Sequence, residues 1–199
     1  MARIDPLPPK QWPPAMREAL AALRPANATH PAPPREGRPK GLNILGTFAR
    51  HPALAHAYNV FNGHVLYATT LSGRQRELLV LRVAALRRSE YEWRQHAVLA
   101  GDVGLDGDEV AAIAAGPDAG SWSPLERAML RAVDELVAGA RVSEETWAVL
   151  AASLSTEQLV DLVFTVGAYD CLAMAFGAFG VDLDEDLVAL ADPSPFAEA

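Results

Sequence analysis

Between residues 155 and 177 the chain is apolar almost all round: Leu159, Val160, Leu162, Val163, Phe164 and Val166 precede Leu172, Met174 and Phe176. A helix without a polar face needs cover on every side, so it sits centrally in a fold or at a subunit interface. Gly167, Ala168, Ala173, Ala175, Gly177, Ala178 and Gly180 permit close backbone approach, and a break is expected near Gly167. An obligate homo-oligomer is the reading this segment favours; a deep monomer core is the alternative.

The rest of the chain follows the same period. It is rich in Ala and Leu, has no convincing alternating strand, and repeats its apolar positions near 3.6 residues, so an all-α fold is expected. Helices are predicted at about 14–23, 41–49, 52–69, 72–87, 89–104, 106–115, 123–139, 143–152, 155–177 and 184–190. Ser72, Asp106, Ser123 and Ser143 read as N-caps, and Pro52 suits a first turn. Pro25, Pro31, Pro33, Pro34 and Pro39 make a loop, which either wraps a neighbour, covers a pocket or merely connects. We divide the chain into residues 1–40, a short helix and Pro-rich arm; 41–190, a single helical domain; and 191–199, a tail. A faint internal repeat aligns Leu71-Ser72 with Leu154-Ser155, and with them Gln75 with Gln158 and Leu79 with Leu162.

Charge and cysteine content narrow the function. A net charge of -8 argues against a general nucleic-acid binder, which needs a basic surface. The first residues lack a signal-peptide core, and no apolar run is expected to reach the length of a membrane span, so a soluble cytoplasmic protein is expected. The single cysteine, Cys171, excludes an intrachain disulfide and any Cys-Cys pair. Its apolar surroundings suggest a buried packing role. Phosphate-loop, dinucleotide and nucleophile-elbow motifs are absent.

Ser89, Glu92 and His96 stand at positions x, x+3 and x+7, one face of a helix. Glu92 and His96 read as an acid/base pair: a carboxylate one turn away can orient the ring, or a buried Glu92 can stay protonated and act as the acid. A plain surface Glu–His contact has the same spacing. Glu77, flanked by Leu78 to Leu81, is expected to point inward toward Arg82 or His96, in a site or in a simple salt bridge. Arg74, Gln75 and Arg76 are easier to place in water. His64, Asn62, Tyr91, Trp93 and Tyr169 are candidates for lining the same pocket, although His64 on an apolar helix also suits a core role. No His-x-x-x-His pair or tight carboxylate cluster calls for a metal, and no cofactor is expected.

The segment Leu71-Ser72-Gly73-Arg74-Gln75-Arg76-Glu77-Leu78-Leu79-Val80-Leu81-Arg82, with Glu90-Tyr91-Glu92-Trp93-Arg94-Gln95-His96 and residues 101–105, resembles the carboxymuconolactone decarboxylase and alkylhydroperoxidase D-like family. The likeness extends from about residue 43 to 186. It implies an all-helical bundle that assembles into homo-oligomers, trimers or hexamers before dimers. The family's peroxidase branch uses a Glu followed by Cys-x-x-Cys-x-x-x-His. Here Glu77 falls on the glutamate, His96 on the histidine, and Ser89 and Glu92 on the two cysteines. Peroxide reduction needs an attacking thiolate and a resolving thiol, so thiol peroxidase activity is not expected. The decarboxylase branch needs no metal or organic cofactor; His96 and Glu92 would move protons and Arg82 would hold a substrate carboxylate. The resemblance therefore implies acid/base chemistry on a small organic acid or lactone. The alternatives are a non-catalytic binding or structural oligomer and, less readily, a residual peroxidase.

Overall fold

A computed structural model describes residues 2–32, 37–190 and 194–196. Pro33 and Pro34 of the arm, and most of the 191–199 tail, lie outside the described residues. Among the described residues there are ten α-helices and no strand, as the periodicity predicts. The chain divides into two compact units, Met1–Thr69 with Ala175–Leu190, and Thr70–Met174 with Ala191–Ala199.

In the first unit, α1 (Ala15–Ala21) lies against α3 (Pro52–Gly63), with α2 (Leu42–Phe48) between them in sequence. Met16, Ala19, Ala49 and Ala55 form its core. Asn59, buried on α3, donates its side-chain amide to the Ala19 carbonyl at 2.8 Å. Gly63 allows this approach, since a Cβ there would lie 2.8 Å from the Leu23 carbonyl oxygen. The predicted helix does not run on evenly to residue 69: His64–Ala68 form a π-helical turn.

The second unit is built around α4 (Gly73–Arg87). Every residue from Glu77 to Ala84 is buried, because α5 (Glu90–Ala100), α6 (Gly107–Ala115) and α7 (Pro124–Gly139) all pack on it. Leu78, Leu81 and Ala84 meet Trp93, Ile113, Trp122 and Leu130 in one core. α8 (Glu144–Ser153) packs on α7, and α9 (Thr156–Phe179) follows. Contrary to the expectation that no apolar run reaches the length of a membrane span, α9 is long and apolar enough for one, at mean hydropathy 1.7, with half of that stretch buried within the fold. Gly167 does not break α9. A glycine costs a helix interior only about 1 kcal/mol relative to alanine, and buried Leu162, Val166, Tyr169 and Ala173 hold both flanks. α10 (Glu185–Leu190) closes the described helices in the first unit.

Helix starts obey local rules. Ser72, Asp106 and Ser123 form full capping boxes with Gln75, Glu109 and Glu126. Ser155 and Gln158 repeat the Ser72–Gln75 pattern, with the serine N–H donating to the glutamine Oε1 at 2.9 Å in both. The faint sequence repeat thus aligns two helix starts of the same geometry. The end of α7 is less ideal. Ala140 takes the left-handed conformation, φ 53°, and is exposed. Ala140→Gly should raise stability by about 1 kcal/mol, or Tm by roughly 2–4 °C; a melting curve showing no rise would refute the strain.

Candidate functional site

The site arises from the turn between α4 and α5. Arg88 adopts a left-handed φ of 52°, and the Ser89 N–H reaches back to the Ala84 carbonyl at 2.9 Å. This helix stop folds α5 against α4. Glu77, near the start of α4, therefore meets His96, in the second half of α5.

His96 Nδ1 donates to Glu77 Oε2 at 2.6 Å, and Arg76 Nε donates to Glu77 Oε1 at 3.1 Å. Glu77 is 0% exposed and His96 6%. Burial pushes the Glu77 carboxyl up, but the charge and hydrogen bond of His96, and then those of Arg76, outweigh it and hold the group below the usual carboxylate range. An ionised carboxylate only accepts, so Nδ1 carries a proton; in the neutral ring the lone pair is then on Nε2. Tyr169, on α9, meets the imidazole edge-on, with centroids 4.9 Å apart and planes at 88°.

Glu92 sits one turn before His96 on α5 and is 0% exposed. Among the described residues, neither of its oxygens has a hydrogen-bond partner. Burial raises its pKa well above the usual carboxylate range. The nearby Ser89 hydroxyl offsets part of this without completing a hydrogen bond, and the Asp170 charge adds to the rise. Of the two readings of the pair, Glu92 does not orient the ring, because the imidazole turns Nδ1 to the neighbouring helix, where an ionised Glu77 is the better acceptor; its burial is the condition of the other reading.

Other expectations need correction. Arg82 is not poised to hold a substrate carboxylate. Its Nε and Nη2 pair with Asp134 at 2.6 and 3.0 Å, and Nη1 donates to the Ile113 and Ala114 carbonyls at 3.0 and 2.9 Å. These bonds tie α4 to α6 and α7. Trp93 belongs to the core around Leu78 and Leu81, and packs on Phe196, rather than facing His96. Tyr91 is buried on α5, and Ser89 is buried at its N-cap position. Asn62, buried on α3, and His64, at the start of the π turn, belong to the first unit. Cys171 is exposed, not packed in the core. Arg76, read as a water-facing residue, is instead a member of the buried network. No group of three or more His, Cys, Asp or Glu side chains is placed to hold a metal ion among the described residues. A cavity of about 590 Å³ lies in the first unit, lined by Pro6, Leu7, Lys40, Asn43 and Asp184 among others, and contains none of the predicted site residues.

The described residues thus form an all-helical fold in which a buried Glu–His pair bridges two adjacent helices. The sequence profile of the carboxymuconolactone decarboxylase family matches residues 52–135, which hold Glu77, Glu92 and His96. Over that stretch the match supports a relation to the carboxymuconolactone decarboxylase and alkylhydroperoxidase D-like family. No curated protein sequence matches it. Among solved structures, the debrominase Bmp8 is similar at TM-score 0.72 and 15% identity, over 94% of this chain and 95% of that one. A cysteine-to-alanine variant of Bmp8 in complex with 2,3,4-tribromopyrrole aligns at TM-score 0.70 and 17% identity, over 94% of each chain. An uncharacterized peroxidase-related protein from Ralstonia eutropha JMP134 aligns at 0.67 and 16%, over 85% of this chain and all of that one. At these identities the likeness is one of fold.

Proposed function

We propose that the protein is a cofactor-independent acid/base enzyme acting on a small organic acid or lactone. The observation that carries this reading is the 2.6 Å hydrogen bond from His96 Nδ1 to fully buried Glu77. It fixes the ring and leaves Nε2 to take up or deliver a proton. Glu92, kept protonated by burial, is the second proton-bearing group on the same helix face. A base and a neutral acid held by different environments are the arrangement that lets one site run both halves of a proton transfer. Neither group needs a thiol, and Ser89 and Glu92 occupy the positions where the peroxidase branch has its cysteines. The similarity to a debrominase supports the capacity of this fold to carry an enzyme.

The enclosure of Glu77 and Glu92 favours a second reading, in which the network serves only the fold of a binding or structural oligomer. One experiment separates the two. Small carboxylic acids and lactones are screened for thermal stabilisation, since a ligand that binds the folded state raises its apparent stability. Compounds that bind are then assayed for turnover. His96→Ala should lower turnover by about a hundredfold or more with folding retained. Wild-type-like turnover in that variant, or a complete screen without a ligand, would leave the structural reading standing.

A further inference from the structure

The cavity of about 590 Å³ in the first unit plays no part in the Glu77–His96 network, and every residue lining it belongs to that unit. Its size suits a small molecule, since ligand pockets run from roughly 300 to 1,000 Å³. Its walls are fixed by backbone bonds. In the segment Pro6 to Pro9, the Leu7 N–H donates to the Gly46 carbonyl at 3.0 Å, and the Leu7 carbonyl accepts from the Trp12 indole at 2.7 Å. The segment lies so close to α2 that a Cβ on Gly46 would stand 2.5 Å from the Leu7 carbonyl oxygen. The prolines, each with a fixed φ, limit how far this wall can relax inward. The other wall joins the start of α2 to α10. Asp184 Oδ1 accepts from the Asn43 N–H at 2.9 Å, the Asn43 amide donates to the Asp182 carbonyl at 2.9 Å, and Asp186 Oδ2 accepts from the Lys40 N–H at 3.1 Å.

The lining carries charges of both signs that stay apart. Lys40 and Glu185 are exposed and Asp186 is half-buried. Among the described residues, none of these three side chains enters an ion pair. Asp186 bonds the backbone of Lys40 and not its ammonium group. Elsewhere the chain does pair its cations: Arg74, Arg82, Arg87 and Arg94 each hold a carboxylate. Solvated charges gain little by meeting one another. A ligand that brings both charges on one small frame meets them together, and Pro6, Pro8, Leu42 and Leu183 supply an apolar surface beside them.

We infer that this cavity binds a free α-amino acid with an apolar side chain. Lys40 takes the carboxylate, Glu185 and Asp186 take the ammonium group, and the prolines and Leu183 take the side chain. A plain carboxylic acid would bring its charge to a lining with more carboxylates than cations, and a plain amine would leave Lys40 unmatched. Asp184, buried and bonded to the Asn43 backbone, supports the wall instead of contacting the ligand. The site is separate from the acid/base reading and does not depend on it.

The test is calorimetric titration of the full chain with L-leucine, which should show one site per chain. Isopentylamine lacks the carboxylate and N-acetyl-L-leucine lacks the ammonium charge; each should bind about tenfold or more weakly, the loss of one charge-assisted contact. Lys40→Met keeps the alkyl stem. It should weaken leucine to the level of isopentylamine and leave isopentylamine itself unchanged. Glu185→Gln combined with Asp186→Asn should weaken leucine similarly, with far-UV circular dichroism unchanged, because asparagine still accepts the Lys40 N–H. No heat from leucine, methionine or phenylalanine would overturn the inference. So would leucine binding that survives Lys40→Met, or isopentylamine binding as tightly as leucine, which would make the cavity a cation site. His96→Ala should leave leucine affinity unchanged; a loss there would place the amino acid beside His96 and overturn the assignment to this cavity.

Discussion

Glu77→Ala is expected to destabilise the protein by about 3–5 kcal/mol, the cost of removing one partner from a buried charged network. For a chain of this size that lowers Tm by roughly 6–20 °C. The loss has two sources. His96 Nδ1 and Arg76 Nε would each be left in the interior without their acceptor, and the truncated side chain would leave a cavity at a fully buried position. Glu77→Gln tests the charge separately from the volume. Its single carbonyl oxygen can accept from one donor, while its amide adds a donor facing another. It should fall between wild type and the alanine variant, and the order of the three melting temperatures checks the account. If Glu77→Gln matches wild type, the carboxylate charge is not what holds the two donors.

The same group sets an acid limb. Its folded pKa lies below the usual value, so the stability it contributes is present above the unfolded value of about 4.3 and is lost as pH falls through the lowered one. Urea titrations of wild type below pH 4.3 should therefore show a steeper decline than those of Glu77→Gln.

Much of this arrangement was legible before the fold. Helix starts were readable because Ser72, Asp106 and Ser123 act through bonds to residues three positions on. Glu77 was expected to turn inward, toward Arg82 or His96, because its neighbours are Leu78 to Leu81, and the structure gives it His96. What sequence could not show was which way a side chain turns once it is inside. Glu92 and His96 share a face by spacing, but the imidazole bonds across to α4. Arg76 adjoins Glu77 in sequence, a spacing that gives no sign of a contact within a helix. Arg82 found Asp134, more than fifty residues away. Cys171 lies in a helix apolar on both faces, so no pattern distinguished the buried side from the exposed one.

Glu92→Gln should make the protein more stable and, if the proposed chemistry holds, slower. The sign follows from the raised pKa. Below the unfolded value of about 4.3, Glu92 is protonated in both states and imposes no pH-dependent cost. As pH rises above that value, the unfolded chain releases the proton while the folded chain keeps it, so wild-type stability falls until pH passes the raised native pKa. Within that window the fall approaches about 1.4 kcal/mol per pH unit. Glutamine is neutral throughout, so the gap between variant and wild type should open from near zero at pH 4 and level off once the native carboxyl ionises. Parallel stability curves from pH 4 to 9 would show that Glu92 is not the buried acid described here. Turnover carries the other half of the argument. A residue retained only for packing would be improved by the neutral, isosteric change without loss. A carboxyl that supplies a proton would give up rate as the fold gains stability, the exchange expected where a site keeps a group the fold alone would replace. Measuring both quantities on one Glu92→Gln sample distinguishes these roles, because the structural reading predicts the stability gain with no binding or kinetic change.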